Sequence, residues 1–292
     1  MSSTLKGYVN SELLVTPGEL EEQLRGSVPP LVIDLRSAEK FAQGHVLGAV
    51  HLDLFGVSLI DTNPAPLEAF LWMVGHLLTT RGVSQDRSTV VYDEQSGIRA
   101  ARAFWFLELF GHSCSRLLDG GFGAWVSQGF VTTIQTVTPD KVEWDIARVS
   151  DRVATCSDVA SRVGRDGVVL LDTRSDAEYY GTNVRAKRGG AIPGAVHIEW
   201  TRNLDGSGAF KAASELRSMY EENSVTPDKE VISYCQGGYR AAHSYLALRL
   251  LGYPRVRNYV GSWKEWGDRE DLPGERPRRK LTEIVVITGL VT

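Results

Sequence analysis

Two rhythms of apolar and polar positions alternate along the chain. Short runs rich in β-branched and aliphatic residues occur at 31–33, 90–92, 168–171 and 231–234. Segments with the apolar spacing of helices lie between them. This alternation predicts crossover units, hence a parallel sheet with helices on both faces. Helix starts are punctuated as well. In "VTPGELEEQL", Thr16 is a candidate N-cap with Pro17 at the first helical position. "ATCSDVASRV" sets Thr155 and Cys156 in the matching places.

The pattern is written twice. "LVIDLRSAEKF" at 31–41 is similar to "VLLDTRSDAEY" at 169–179, and "GAVHLD" at 48–53 to "GAVHIE" at 194–199. "VVYDEQSGIRAARAFWFLELFG" at 90–111 parallels "VISYCQGGYRAAHSYLALRLLG" at 231–252. Arg99 pairs with Arg240, Gly111 with Gly252, Gly120 with Gly261 and Trp125 with Trp266, every pair 141 residues apart. Four matches in one register define a duplicated domain. The halves read as 8–135 and 151–273, joined by a charged segment around "TPDKVEWDIARVSD".

Composition narrows the function. The 292 residues are 42% hydrophobic and 23% charged, with a net charge of −4. An ordinary globular composition without basic excess argues against nucleic-acid binding. No apolar run reaches the roughly 18 residues of a membrane span. The opening "MSSTLKGYVN" lacks the regions of a secretory signal, so reducing cytoplasm is the expected compartment. Three widely spaced cysteines form neither a disulfide framework nor a metal cluster.

One cysteine carries a chemical signal. Cys235 ends the 231–234 run, Gly237 and Gly238 follow, and a helix is predicted to begin near 240–243. Ligands of an open parallel sheet sit beyond the carboxyl ends of its strands. The helix start presents unpaired N–H groups and a positive dipole end. The glycines let the backbone fold into an anion-binding nest. That setting should depress the thiol pKa. Arg240 is expected to point into the loop as an anion ligand, the alternative being an outward turn toward a carboxylate such as Asp172, and Tyr239 to shape the rim. Cys156, at a helix start without a glycine loop, and Cys114, expected to pack, are weaker candidates. Asp34 with Arg36 and Asp172 with Arg174 read as loop braces. The tryptophans of "GGFGAW" and "GSWKEW" read as packing, with Trp263 or Trp200 as candidate cleft residues.

The segments "DLRS", "DTRS", "GGAIPGAVHIEW", "CQGGYR" and "VGSWKEW" together resemble the two-domain rhodaneses, thiosulfate sulfurtransferases of bacterial type. The resemblance covers residue 8 to about 272. It implies tandem α/β domains, with the reactive cysteine in the second half only. Asp93 and Glu94 stand where Cys235 would be in the first half, which is then a scaffold. The implied chemistry is attack of the Cys235 thiolate on the outer sulfur of thiosulfate, then transfer from the persulfide to cyanide or a thiol, or to an acceptor protein. Gln236, Gly237, Gly238, Tyr239 and Arg240 would form the substrate-binding loop. No metal or organic cofactor is implied.

The sequence also departs from that family. Ala191 replaces a histidine of the Gly-His-Ile-Pro-Gly motif, whose first-half counterpart His45 reads as structural. Glu178 stands where mammalian members carry an arginine, so Arg185 is expected to supply a second cation for substrate, with Lys187 and Arg188 as alternatives. A 3-mercaptopyruvate sulfurtransferase fits less well, because that loop carries hydroxyls and no arginine. Phosphatases sharing the domain enclose five residues between cysteine and arginine, and here there are four. A persulfide carrier or interaction module is the non-enzymatic alternative. The tail 274–292, with Arg276, Arg278, Arg279, Lys280 and the apolar "EIVVITGLV", has no assigned role.

Overall fold

The computed structural model describes residues 6–279, apart from 86, 145 and 147. The apolar runs become the centres of two parallel sheets. The first has the order Leu14–Val15, Ser115–Leu118, Thr89–Tyr92, Leu31–Asp34, Val50–His51. The second repeats it with Val153–Ala154, Val256–Tyr259, Glu230–Tyr234, Val168–Asp172, Val196–His197. The duplicated sequence therefore builds one α/β architecture twice.

Strand periodicity explains the layers. Leu31, Ile33 and Val91 face one core, and Val32, Val90 and Tyr92 the other. In the second half Val169, Leu171 and Val231 face inward, and Leu170, Ile232 and Tyr234 outward. The inward core is continuous across both halves. At its centre the helices Ile98–Leu109 and Tyr239–Leu250 pack on each other. Both are buried nearly all round, as the apolar spread of their sequences requires. Each fully buried aliphatic or aromatic side chain contributes about 1.5–3 kcal/mol.

The local signals hold. Thr16 caps the helix Pro17–Leu24 through a reciprocal bond with Glu19. Thr155 caps Cys156–Ala160 through Asp158 in the same way. Arg36 grips Asp34 with Nη2–O 2.6 Å, and Arg174 grips Asp172 at 2.5 Å; each guanidinium also bonds a loop carbonyl, Gly44 or Gly190. Trp125, Trp263 and Trp266 are buried packing residues, so Trp263 does not line a cleft mouth. Cys114 is a correction: it is exposed rather than packed.

The segment after the last helix also has a place. Glu275 and Ala191 exchange two backbone hydrogen bonds of 2.9 Å. A Cβ on Gly190 would meet the Glu275 carbonyl at 2.0 Å, so glycine is required there. The first half uses the same device, with Thr132–Thr133 antiparallel to His45–Val46. His45 is buried between the Phe41 and Gln135 carbonyls, a structural setting. The repeat thus closes at Glu275, inside the stretch read as tail. Lys280 and "EIVVITGLV" lie outside the described residues. Among the described residues no helix is long and apolar enough to cross a membrane.

Candidate active site

Cys235 follows the central strand Glu230–Tyr234, which is paired on both sides. The helix after it starts at Tyr239, with Gly238 as N-cap at φ +82°. Only glycine takes that conformation without cost. The turn aims the Gly238 N–H at the Cys235 Sγ, 3.1 Å away.

Every carbonyl of the loop is held from outside it. The Cys235 and Gln236 carbonyls accept from the Trp263 and Lys264 N–H groups at 2.9 and 3.1 Å. The Gly237 carbonyl accepts from Arg102 Nη1 at 2.8 Å, and the Gly238 carbonyl from Asn258 Nδ2 at 3.1 Å. With carbonyl dipoles turned away, the amides are left to face the sulfur as a nest. Ser262 completes the frame. Its hydroxyl accepts the Cys235 N–H at 3.1 Å and donates to the Tyr259 carbonyl at 2.7 Å. It does so from a left-handed backbone, φ +53°, which costs a residue bearing a Cβ on the order of 1–3 kcal/mol.

The thiol is buried, with Cys235 1% exposed. Burial pushes its pKa up. The Arg240 guanidinium, the Ala241 and Gly237 N–H groups and Arg102 more than offset this, and the thiol titrates below its ordinary value. Cys156 is the contrast: burial dominates and raises its pKa.

The predicted loop residues separate into roles. Gln236 Nε2 donates to the Arg185 carbonyl at 2.8 Å, tying the loop to the 182–189 segment. The Tyr239 hydroxyl bonds the Leu54 and Val57 carbonyls at 2.6 and 2.9 Å, tying it to the first half. Arg240 lies close enough to the thiol to act on its charge and is held by a carboxylate at the same time. Its guanidinium makes a two-point ion pair with Glu178, 2.5 and 2.9 Å, so the carboxylate that pairs with it is Glu178 rather than Asp172. Arg185 joins the same carboxylate at 3.4 Å, with its side chain 53% exposed. The Lys187 N–H bonds Asp268, and Arg188 bonds the Trp266 and Pro273 carbonyls. Trp200 lines a cavity at the first half's loop, beside Lys40 and Arg99.

In that first loop the Asp93 carboxylate occupies the cradle. It accepts the N–H groups of Gly97, Arg99 and Ala100 at 2.9, 3.0 and 3.1 Å. The Phe122 and Gly123 N–H groups bond the Asp93 and Glu94 carbonyls, as Trp263 and Lys264 do in the second half. Sequence reasoning missed Arg102, Ser262 and Asn258. Arg102 left one signal, an arginine inside the apolar run "ARAFWF".

A family model described as "Rhodanese-like domain" matches residues 16–128 and again 155–269. A thiosulfate sulfurtransferase of Pseudomonas aeruginosa is 34% identical, covering 90% of this chain and 97% of that protein. One from Azotobacter vinelandii is 34% identical over 92% and 98%. A sulfur carrier protein of Thermus thermophilus is 34% identical over 91% and 98%. Among solved structures, an anaerobic ergothioneine biosynthesis enzyme from Chlorobium limicola superposes with a TM-score of 0.81. It is 19% identical, over 93% of this chain and 72% of that one, a likeness of fold alone. Two parallel α/β repeats with one thiol in a nest of amides define a two-domain sulfurtransferase type. The chain belongs to the rhodanese family.

Proposed function

We propose that this chain is a thiosulfate sulfurtransferase working through a persulfide on Cys235. The observation that carries the reading is the Cys235 sulfur at the end of the central strand, taking the Gly238 N–H while all four loop carbonyls are tied elsewhere. A thiolate in that cradle is a nucleophile with its product site already formed. It attacks the outer sulfur of thiosulfate. A new S–S bond forms to Cys235, the S–S bond of thiosulfate breaks, and its electron pair leaves with sulfite. The persulfide anion stays against the amides. Cyanide or a thiol then attacks the outer sulfur, the Cys235 S–S bond breaks, and the thiolate is restored. No electron donor or metal enters either step.

Two features favour thiosulfate over 3-mercaptopyruvate. The loop "CQGGYR" has one hydroxyl, on Tyr239, and it is engaged by the Leu54 and Val57 carbonyls. The relatives from Pseudomonas and Azotobacter bear the thiosulfate name. The first half is a scaffold in this reading, since Asp93 cannot carry sulfane sulfur. Turnover of both donors with cyanide, measured side by side, tests it. A higher kcat/KM for thiosulfate is expected, with no turnover by Cys235→Ser and most activity kept in Cys114→Ser and Cys156→Ser. Retained turnover in Cys235→Ser would sink the mechanism, and a mercaptopyruvate preference would sink the choice of donor.

A further inference from the structure

Arg102 lies in the first half, on the helix Ile98–Leu109, and is 1% exposed. Its guanidinium crosses to the second half. It donates to the Gly237 carbonyl at 2.8 Å, lies over the Tyr239 ring at 4.1 Å, and reaches the Val57 carbonyl at 3.4 Å. Among the described residues its Nε has no hydrogen-bond partner. The ionisable groups acting on its charge are Tyr239 and the Cys235 thiol, with no carboxylate among them. A buried cation without a counter-charge costs several kcal/mol, so it needs an anion close by.

The duplication supplies an internal control. The residue 141 positions on from Arg102 is His243, and the residue 141 on from Ser96 is Gly237. His243 Nε2 bonds the Ser96 carbonyl at 2.8 Å, the mirror image of Arg102 bonding Gly237. Each central helix therefore reaches across to fix the other half's loop at the same carbonyl. Burial pushes the His243 pKa down to about 4, so that side chain is neutral near pH 7. A neutral group suffices for the bond. The half with the thiol uses a cation.

We propose that Arg102 is a second counter-ion of the Cys235 sulfur beside Arg240, supplied by the first half to hold it as thiolate and as persulfide anion. Arg240 also serves a carboxylate, because Glu178 takes it in a two-point pair and also draws Arg185. The other groups acting on the sulfur are the Arg240 guanidinium, whose pull on the thiol is larger than that of Arg102 even while it is paired with Glu178, and the Gly237, Gly238 and Ala241 N–H groups; the Ser262 hydroxyl sits on the Cys235 N–H. Arg102 is thus a positioning residue, and the first half contributes charge to the site as well as shape. Gly238 fits this role: a Cβ there would meet Arg102 Nη1 at 2.5 Å.

The proposal rests on Cys235 being the reacting thiol, and the test separates the two. In a Cys114→Ser background, the rate of iodoacetamide labelling is followed against pH and the label mapped by mass spectrometry. Labelling of wild-type Cys235 with a midpoint below about 8.5, an ordinary thiol, supports the site itself. Arg102→Gln keeps a donor for Gly237 and removes the charge, whereas Arg102→Lys keeps the charge. The Gln variant is expected to move the midpoint up by about one unit, a tenfold loss of thiolate below it. The Lys variant should move it less than half as far. Melting temperatures should not follow that order, since removing a buried cation relieves desolvation. Midpoints equal to wild type in the Gln variant, or an equal shift in the Lys variant, would overturn the proposal. Should the Gln variant not fold, Arg102→Met read against Arg102→Lys decides in the same way.

Discussion

Glu178 decides what Arg240 can do. The pair is nearly buried, and the carboxylate also caps its own helix by bonding Ser175. Burial alone would raise the Glu178 pKa, but the bonds and charge of Arg240 and the Ser175 groups bring it down to about 2. An unfolded glutamate titrates near 4.3. The fold therefore gains up to about 3 kcal/mol from this group above pH ~4.3, and loses it as pH falls toward about 2. Glu178→Gln keeps the cap geometry and removes the charge. Its stability should be lower than wild type near pH 7 and should converge with it in acid, as read by urea midpoints across that range; a constant gap would contradict the ion-pair account. The same variant frees Arg240, so the KM for thiosulfate should fall several-fold, as near-surface charge pairs at an effective dielectric of 20 allow. An unchanged or higher KM would mean that Arg240 does not act on the donor. Arg240→Ala is the less informative change, since it leaves Glu178 buried without its main partner.

At the scale of elements, the loop is held by the start of the helix Ser262–Asp268 more than by its own residues. Ser262 shows the trade. Its first-half counterpart is Gly121, at φ +58°, where the left-handed turn costs nothing. The second half accepts the strain and gains a hydroxyl on the Cys235 N–H. Ser262→Ala loses both hydroxyl bonds and keeps the strain, an expected loss of about 1–3 kcal/mol. Ser262→Gly should lose less, because the strain goes too. Chemical denaturation would show the order, and an Ala variant as stable as wild type would mean the bonds contribute nothing. Such elements also mark what the sequence could reveal. Spacing within a segment was enough for the Thr16 and Thr155 caps, the Asp34–Arg36 and Asp172–Arg174 braces, and the strand–cysteine–glycine–helix order. The Arg102 contact joins residues 135 apart and depends on which helix faces which. The direction of Arg240 depended on Glu178, which local spacing presented only as a missing arginine.

Across the whole molecule, the two halves share one inner core and exchange polar bonds through their central helices, so the active-site loop is a property of the pair. The Tyr239 bonds to Leu54 and Val57, and the Thr62 bonds to Glu265 at 2.7 and 2.9 Å, tighten the same seam. The closing segment belongs to this frame through Glu275 on Ala191 and the Trp266 indole on the Pro273 carbonyl at 2.7 Å. Truncation after Arg279 is therefore expected to keep stability and turnover. Truncation after Leu272 removes the two bonds of the Glu275–Ala191 bridge and the two to the Pro273 carbonyl from Trp266 and Arg188, at about 0.5–1.5 kcal/mol each, and should lower the melting temperature. Equal behaviour of the two truncations would mean that the bridge contributes nothing. The central claim is that sulfur travels on Cys235. Intact mass after brief treatment with thiosulfate, with peptide mapping and then a chase with cyanide, reads it directly. The account predicts one added sulfur atom, on the peptide bearing Cys235, removed by cyanide; sulfur on Cys114 or Cys156, or none on a protein that still turns over thiosulfate, would contradict it.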